Sequence, residues 1–227
     1  MLQWAMNNFG LSQLAYISVV NDKGKLPAFS SNQAGACILI GAIMDLVKHG
    51  CVKIDKKKVW TTGVAVPSDL QHLISLFDIV AAAKRPMSIS YLAGKYLNTL
   101  LGRNLDALMV SIGTSLMRVH AVTQILGRKI RFAPHPNAVQ SVVAGIRAEQ
   151  HFALAAILDR AGLLKRLFSK VEYAHIKKRV KWLRTEVKRN PEFAAMRETF
   201  EFLDMCMMMF VIIIASSSSA SVAASGC

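Results

Sequence analysis

Residues 33 to 50 read QAGACILIGAIMDLVKHG, and this stretch decides the fold. Its centre, Ile38-Leu39-Ile40-Gly41-Ala42-Ile43-Met44, is apolar on every side of a helical wheel. A helix with no polar face has to be buried all round. Gln33 to His49 is therefore expected as an interior helix, closed by Gly50 at the position where helices end on a left-handed residue.

Working outward, Leu11 to Val20 reads as a helix stopped by the turn Asn21-Asp22-Lys23-Gly24. Behind Gly50 come two β-like runs, Cys51 to Ile54 and Val59 to Val66, joined by Asp55-Lys56-Lys57-Lys58 as a hairpin with a basic tip. Ser68 or Asp69 is positioned to cap a helix running through Ala83, with Pro86 in the break after it. A further helix is expected from Ser88 to Leu101, ending at Gly102. From Asn104 to Ala121 the residues Leu105, Leu108, Met109, Ile112, Leu116 and Val119 recur at helical spacing as a core-facing stripe. Val122 to Phe132 is a second hairpin, turning at Gly127-Arg128-Lys129 and ended by Pro134-His135-Pro136. Two long helices follow, Asn137 to Ala161 and Leu163 to Arg189. Asn190-Pro191 then opens a last helix to about Ile214. Strands do not alternate with helices, so no doubly wound sheet is expected. The class is mainly α: a helical bundle core with two small β-hairpins. Residues 1–10 form an N-terminal segment, 11–214 one domain, and 215–227 a Ser/Ala-rich tail expected to be disordered.

The charge balance bounds function. Lys and Arg number 28 against 14 Asp and Glu in 227 residues, a formal charge of +14. Such an excess favours an anionic partner: a phospholipid surface, a nucleic acid or an acidic peptide. The 4 cysteines are dispersed without metal-ligand spacing, which points to a reducing, cytoplasmic setting. No Lys or Arg precedes Lys23, so a signal peptide is not expected. The apolar run Met205 to Ala215 falls short of the roughly 18 to 20 residues needed to span a bilayer and reads as a buried terminal helix. Cys227 leaves no prenylation box.

No phosphate loop, dinucleotide fingerprint or nucleophile elbow is present, and the 6 histidines never pair at metal-binding spacing on one helix. No catalytic residue, metal ligand or cofactor is expected. The basic features that remain are the Lys56-Lys57-Lys58 tip and the Lys177 to Lys188 helix. Either is a solvated face or a phosphate contact. Trp60 and Trp182 lie near these basic runs but in no recognisable nucleic-acid frame.

The order of segments resembles the Golgi phosphoprotein three family. Leu11-Ser12-Gln13 followed by Asn21-Asp22-Lys23-Gly24-Lys25 is similar to that family's opening helix and turn. Asp45-Leu46-Val47-Lys48-His49-Gly50, with a hairpin strand behind it, is similar to the end of its buried helix. Val66-Pro67-Ser68-Asp69 resembles its P-T-G-D segment, and Val122 to Pro136 its second hairpin with a His-Pro ending. Lys178-Arg179-Val180, Asn190-Pro191-Glu192 and the apolar last helix match its C-terminal third. The resemblance covers Leu11 to Ile214.

It implies a cytosolic, non-catalytic peripheral membrane module, at the Golgi if the source is eukaryotic. Such a module binds a phosphoinositide and holds the cytoplasmic tails of client proteins. It further implies homo-oligomerisation through the second hairpin, here Leu126, Arg128, Ile130 and Phe132. The family's headgroup pocket departs, however. Its tryptophan falls at Phe29 or Ser30, its first arginine at Leu39, and its later arginine pair near Asp106 and Met109. Arg103 is the nearest basic residue, and with Lys84 and Arg85 it makes up the expected lipid contacts. The family's arginine-rich N-terminal extension has no counterpart in these residues. A divergent member, bacterial origin included, with another anion as ligand is the expectation. A winged-helix-like nucleic-acid binder and a protein-only scaffold are the competing readings.

Overall fold

A computed structural model describes residues 9–97, 103–189 and 201. Among them eight α-helices pack with one three-stranded and one two-stranded antiparallel sheet, the mainly helical class expected.

The centre is built by α1 (Leu11–Val19) and α2 (Ser31–Lys48). Every residue of α2 from Ala34 to Ile43 is buried, as its uniformly apolar composition requires. Each large aliphatic side chain buried there contributes about 1.5–3 kcal/mol. Gly41 sets how near the two helices come, since a Cβ on it would stand 2.8 Å from the backbone nitrogen of Ser12. α2 ends as expected. Gly50 is left-handed (φ +70°), and the amides of Gly50 and Cys51 donate to the carbonyls of Val47 and Leu46, each at 2.9 Å. Among the described residues, 28–48 is the one helical stretch long and apolar enough to cross a membrane, and 67% of it is buried within the protein.

Beyond Gly50, β1 (Val52–Asp55) and β2 (Lys58–Thr61) form the first hairpin. The second run therefore stops at Thr61, short of Val66. Pro67, not Ser68 or Asp69, precedes the 3-10 turn Ser68–Leu73, and no side chain caps it. α3 (Ile74–Ala81) follows. β3 (Met87–Ser88) then adds a third strand to β2, which the sequence did not announce, and leads into α4 (Ile89–Leu97).

α5 (Arg103–Arg118) buries Leu108, Ile112 and Leu116 completely, with Leu105 and Met109 packed beside them. Val119 leaves the stripe, exposed just past the helix end. β4 (Val122–Ile125) and β5 (Arg131–Pro134) make the second hairpin. Phe132 is only 2% exposed, because its ring lies where a Cβ on Gly113 of α5 would be. That corrects its expected place on an oligomerisation surface: it anchors the hairpin instead.

The helix expected from Asn137 to Ala161 is two, α6 (Pro136–Arg147) and α7 (Phe152–Arg160). The chain reverses at left-handed Glu149 (φ 64°), and the His151 ring folds onto Gly145. The next helix, α8 (Lys170–Arg189), begins at Lys170 rather than Leu163. Gly162 is left-handed, and a 3-10 turn occupies Leu164–Arg166. Ser169 and Glu172 then close a capping box: the Ser169 amide donates to Glu172 Oε2 at 3.1 Å, and the Glu172 amide approaches Ser169 Oγ at 3.4 Å. The last helix expected after Asn190-Pro191 and the tail 215–227 lie outside the described residues.

Candidate functional site

The three-stranded sheet gathers basic residues that are far apart in sequence. Its register sets Lys53 opposite Trp60 and Asp55 opposite Lys58, with Ser88 opposite Lys58 on the other side. Directly opposed residues point the same way, so Lys53, Asp55, Lys58, Trp60 and Ser88 share one face. Val52, Val59 and Met87 point inward, with α3 in contact with β2. Lys56 and Lys57 form the two-residue turn, both left-handed at φ 44° and 68°. That geometry is the hairpin turn usually taken by Asn-Gly. Lys84 and Arg85, exposed, stand just before β3. Six basic side chains thus converge around one small sheet. Asp55 is the only acid in its strands. Trp60, two residues after the lysine run, also faces Lys53 across the strands, a pairing that the sequence did not reveal.

Arg103 does not join them. Its neighbour Asn104 donates to the carbonyl of Lys95 at 3.0 Å, toward the end of α4 that lies away from the sheet. Leu39 is fully buried in α2, so no side chain there reaches a headgroup, whereas Phe29 is fully exposed. Asp106 and Met109 line a cleft of about 500 Å³ with Tyr16, Lys25, Lys129 and Arg131. Its Lys129 is already held by Asp106 at 2.8 Å, so an anion would compete with a carboxylate for that lysine.

The second basic element, α8, buries Ile176 and Val180 and exposes Lys177, Lys178 and Lys181 with Trp182. Part of its charge is engaged within the protein. Arg179 pairs with Glu149, and Lys177 lies over the Tyr173 ring at 5.6 Å. On the hairpin tip Leu126 is 90% exposed and Ile130 55%, with Arg128 exposed beside them.

A buried Ser–His–Asp cluster lies elsewhere, where α1 meets α2. Asp45 accepts from the amides of Leu11 (2.7 Å) and Ser12 (2.9 Å) and from Ser12 Oγ (2.6 Å). It thereby caps α1 from a neighbouring helix. His72 Nε2 stands 3.4 Å from Ser12 Oγ. The Ser12 proton is committed to Asp45, so His72 meets that oxygen as a donor. A nucleophile would need the reverse, with histidine accepting the proton and the acid orienting histidine. Burial lowers the His72 pKa below 6.5 against the opposing pull of Asp45 and Asp69. Asp45 also lines a cleft of about 1050 Å³ with His49, Asp69 and His151. There His49 approaches Asp69 at 3.8 Å. No group of three or more metal-binding side chains gathers among the described residues. The Cys37 thiol, wholly buried, is pushed up to about 12 and is no nucleophile at neutral pH.

No protein-family model matches the chain, and no curated protein matches it.

Proposed function

We propose that this chain is a non-catalytic, peripheral binding module for anionic membrane surfaces. The observation that carries this reading is the convergence of Lys53, Lys56, Lys57, Lys58, Lys84 and Arg85 on the three-stranded sheet. Near an anionic leaflet each Lys or Arg contributes about 1 kcal/mol, and the attraction decays within a Debye length of about 8 Å at physiological salt. Such a cluster gives measurable attachment without a headgroup pocket. The resemblance to the Golgi phosphoprotein three family supports the same reading, with cytoplasmic tails of client proteins as further partners. The exposed Leu126 and Ile130 favour self-association through the second hairpin.

Co-sedimentation with neutral, phosphatidylserine and phosphoinositide vesicles at low and high salt tests it. The expected result is binding to both anionic compositions, little discrimination between them, and marked weakening in salt. Tight, salt-insensitive preference for one phosphoinositide would replace the charged surface by a pocket. Indifference to every anionic vesicle, with an oligonucleotide shifted in a parallel gel, would transfer the patch to nucleic acid.

A further inference from the structure

Ser88 occupies an unusual place on this basic face. It is exposed and belongs to β3, the edge strand of the sheet order β1-β2-β3, so among the described residues no strand pairs with its outer side. Its cross-strand neighbour is Lys58, and the amide of the next residue, Ile89, donates to the carbonyl of Lys57 at 3.0 Å. Lys84 and Arg85 precede it by four and three residues. Its own oxygen accepts from the Tyr91 amide at 3.1 Å, capping α4, whose first turn carries no acid.

We propose that Ser88 is a phosphorylation site whose phosphate switches off the anion-binding face. The inference rests on the membrane reading above and supplies its regulation. The reaction requires a protein kinase and a magnesium-bound nucleoside triphosphate. Ser88 Oγ attacks the γ-phosphorus, forming the Oγ–P bond, while the bond from that phosphorus to the β-phosphate oxygen breaks. The diphosphate leaves, and the hydroxyl proton passes to a carboxylate of the kinase. Arginine three residues before the acceptor suits a kinase with an acidic substrate groove. The chain such a groove can engage is the exposed stretch Lys84-Arg85-Pro86 leading through Met87 to Ser88, since Ile89 beyond it is buried at the start of α4.

The product brings about −1.5 to −2 charges into the cluster, with three acceptor oxygens. Lys57, Lys58 and Arg85 are the nearest cations by register and sequence, and the start of α4 favours an anion. The phosphate is therefore retained by the residues that would otherwise face lipid phosphate. Cancelling about two charges lowers the vesicle partition coefficient roughly 10- to 30-fold.

The test treats the full chain with magnesium ATP and a purified serine kinase that requires arginine at that offset. Mass spectrometry locates the phosphate, and labelled and unlabelled chains are sedimented with phosphatidylserine–phosphatidylcholine vesicles. Labelling at Ser88, lost in Arg85→Ala and in Ser88→Ala, together with the drop in partitioning, is the expected result. Absence of phosphate from Ser88, or labelling confined to Ser90, overturns the site. Labelled chains that bind as well as unlabelled ones overturn the switch and leave the membrane reading standing. Unlabelled chains that ignore the vesicles overturn the membrane reading and the switch with it.

Discussion

Asp45 shows how a single residue can hold two elements together. Its carboxylate satisfies two amides at the start of α1 that have no partner inside that helix, and it takes the Ser12 hydroxyl besides. Replacing Asp45 by Ala leaves these donors buried without an acceptor. Charge-assisted bonds of this kind make the cost about 3 kcal/mol, read as a lowered denaturant midpoint. Ser12→Ala should cost about 1–2 kcal/mol, because the His72 N–H loses its acceptor and Asp45 loses the hydroxyl while keeping both amides. The histidines add a pH dependence of definite sign. Burial holds both His72 and His151 below 6.5. The unfolded chain therefore takes up protons that the folded chain refuses. Stability is full above about pH 6.5 and is lost as pH falls below it. The urea midpoint at about pH 5.5 should be lower than at about pH 7.5, and His72→Gln should narrow the gap. None of this was legible in the sequence. Asp45 reads there as one polar residue near the end of an apolar helix, and its partners lie 33 and 34 residues away.

At the scale of elements, the first hairpin places lysines where turn geometry prefers other residues. Left-handed backbone costs a non-glycine residue on the order of 1 kcal/mol. Lys56→Asn with Lys57→Gly is expected to raise stability by about 1–2 kcal/mol and to weaken vesicle binding, since two of the six clustered charges go with it. The second hairpin separates two roles that looked alike. Leu126→Asp with Ile130→Asp should yield a monomer by light scattering at unchanged stability if the tip joins copies. Phe132→Ala should cost about 3–5 kcal/mol by emptying the seat on Gly113. A hairpin with one anchoring face alternates inward and outward residues, and which of them faces in is set by the seat on Gly113 in α5, a contact between elements that the hairpin's own residues do not spell out. The sequence named the hairpin and missed its polarity for that reason. It also located α2 and its glycine stop, where period and cap agree. The α6–α7 reversal escaped because the left-handed residue, Glu149, is not a glycine, and the glycine that precedes it, Gly145, lies inside α6. The start of α8 was legible in Ser169-Lys170-Val171-Glu172, a capping-box spelling that the apolar pattern around Leu163 obscured.

At the scale of the molecule, the six basic residues of the three-stranded sheet form a charged surface and not a pocket, and the expected phenotype of substitutions follows. Arg103→Ala, remote from the sheet, should change vesicle partitioning no more than any one of Lys53, Lys84 or Arg85 does when replaced by Ala. A far larger loss would relocate the binding surface to the start of α5, where Arg103 stands. The clustering itself could not be read from residues 53–58 and 84–85 separately, because it depends on β3 pairing with β2. The arrangement of α1 has a different kind of consequence, one of timing. α1 packs not only on α2 but on α5, α6 and α7. A ribosome adding about 5–20 residues per second needs on the order of ten seconds to travel from Val19 to α7. Throughout that interval α2 alone of these helices is there early to cover Leu14, Tyr16 and Ile17, and the enclosure waits for α7. Nascent chains that stop before α6 should consequently be captured by holding chaperones, while chains that include α7 should escape them.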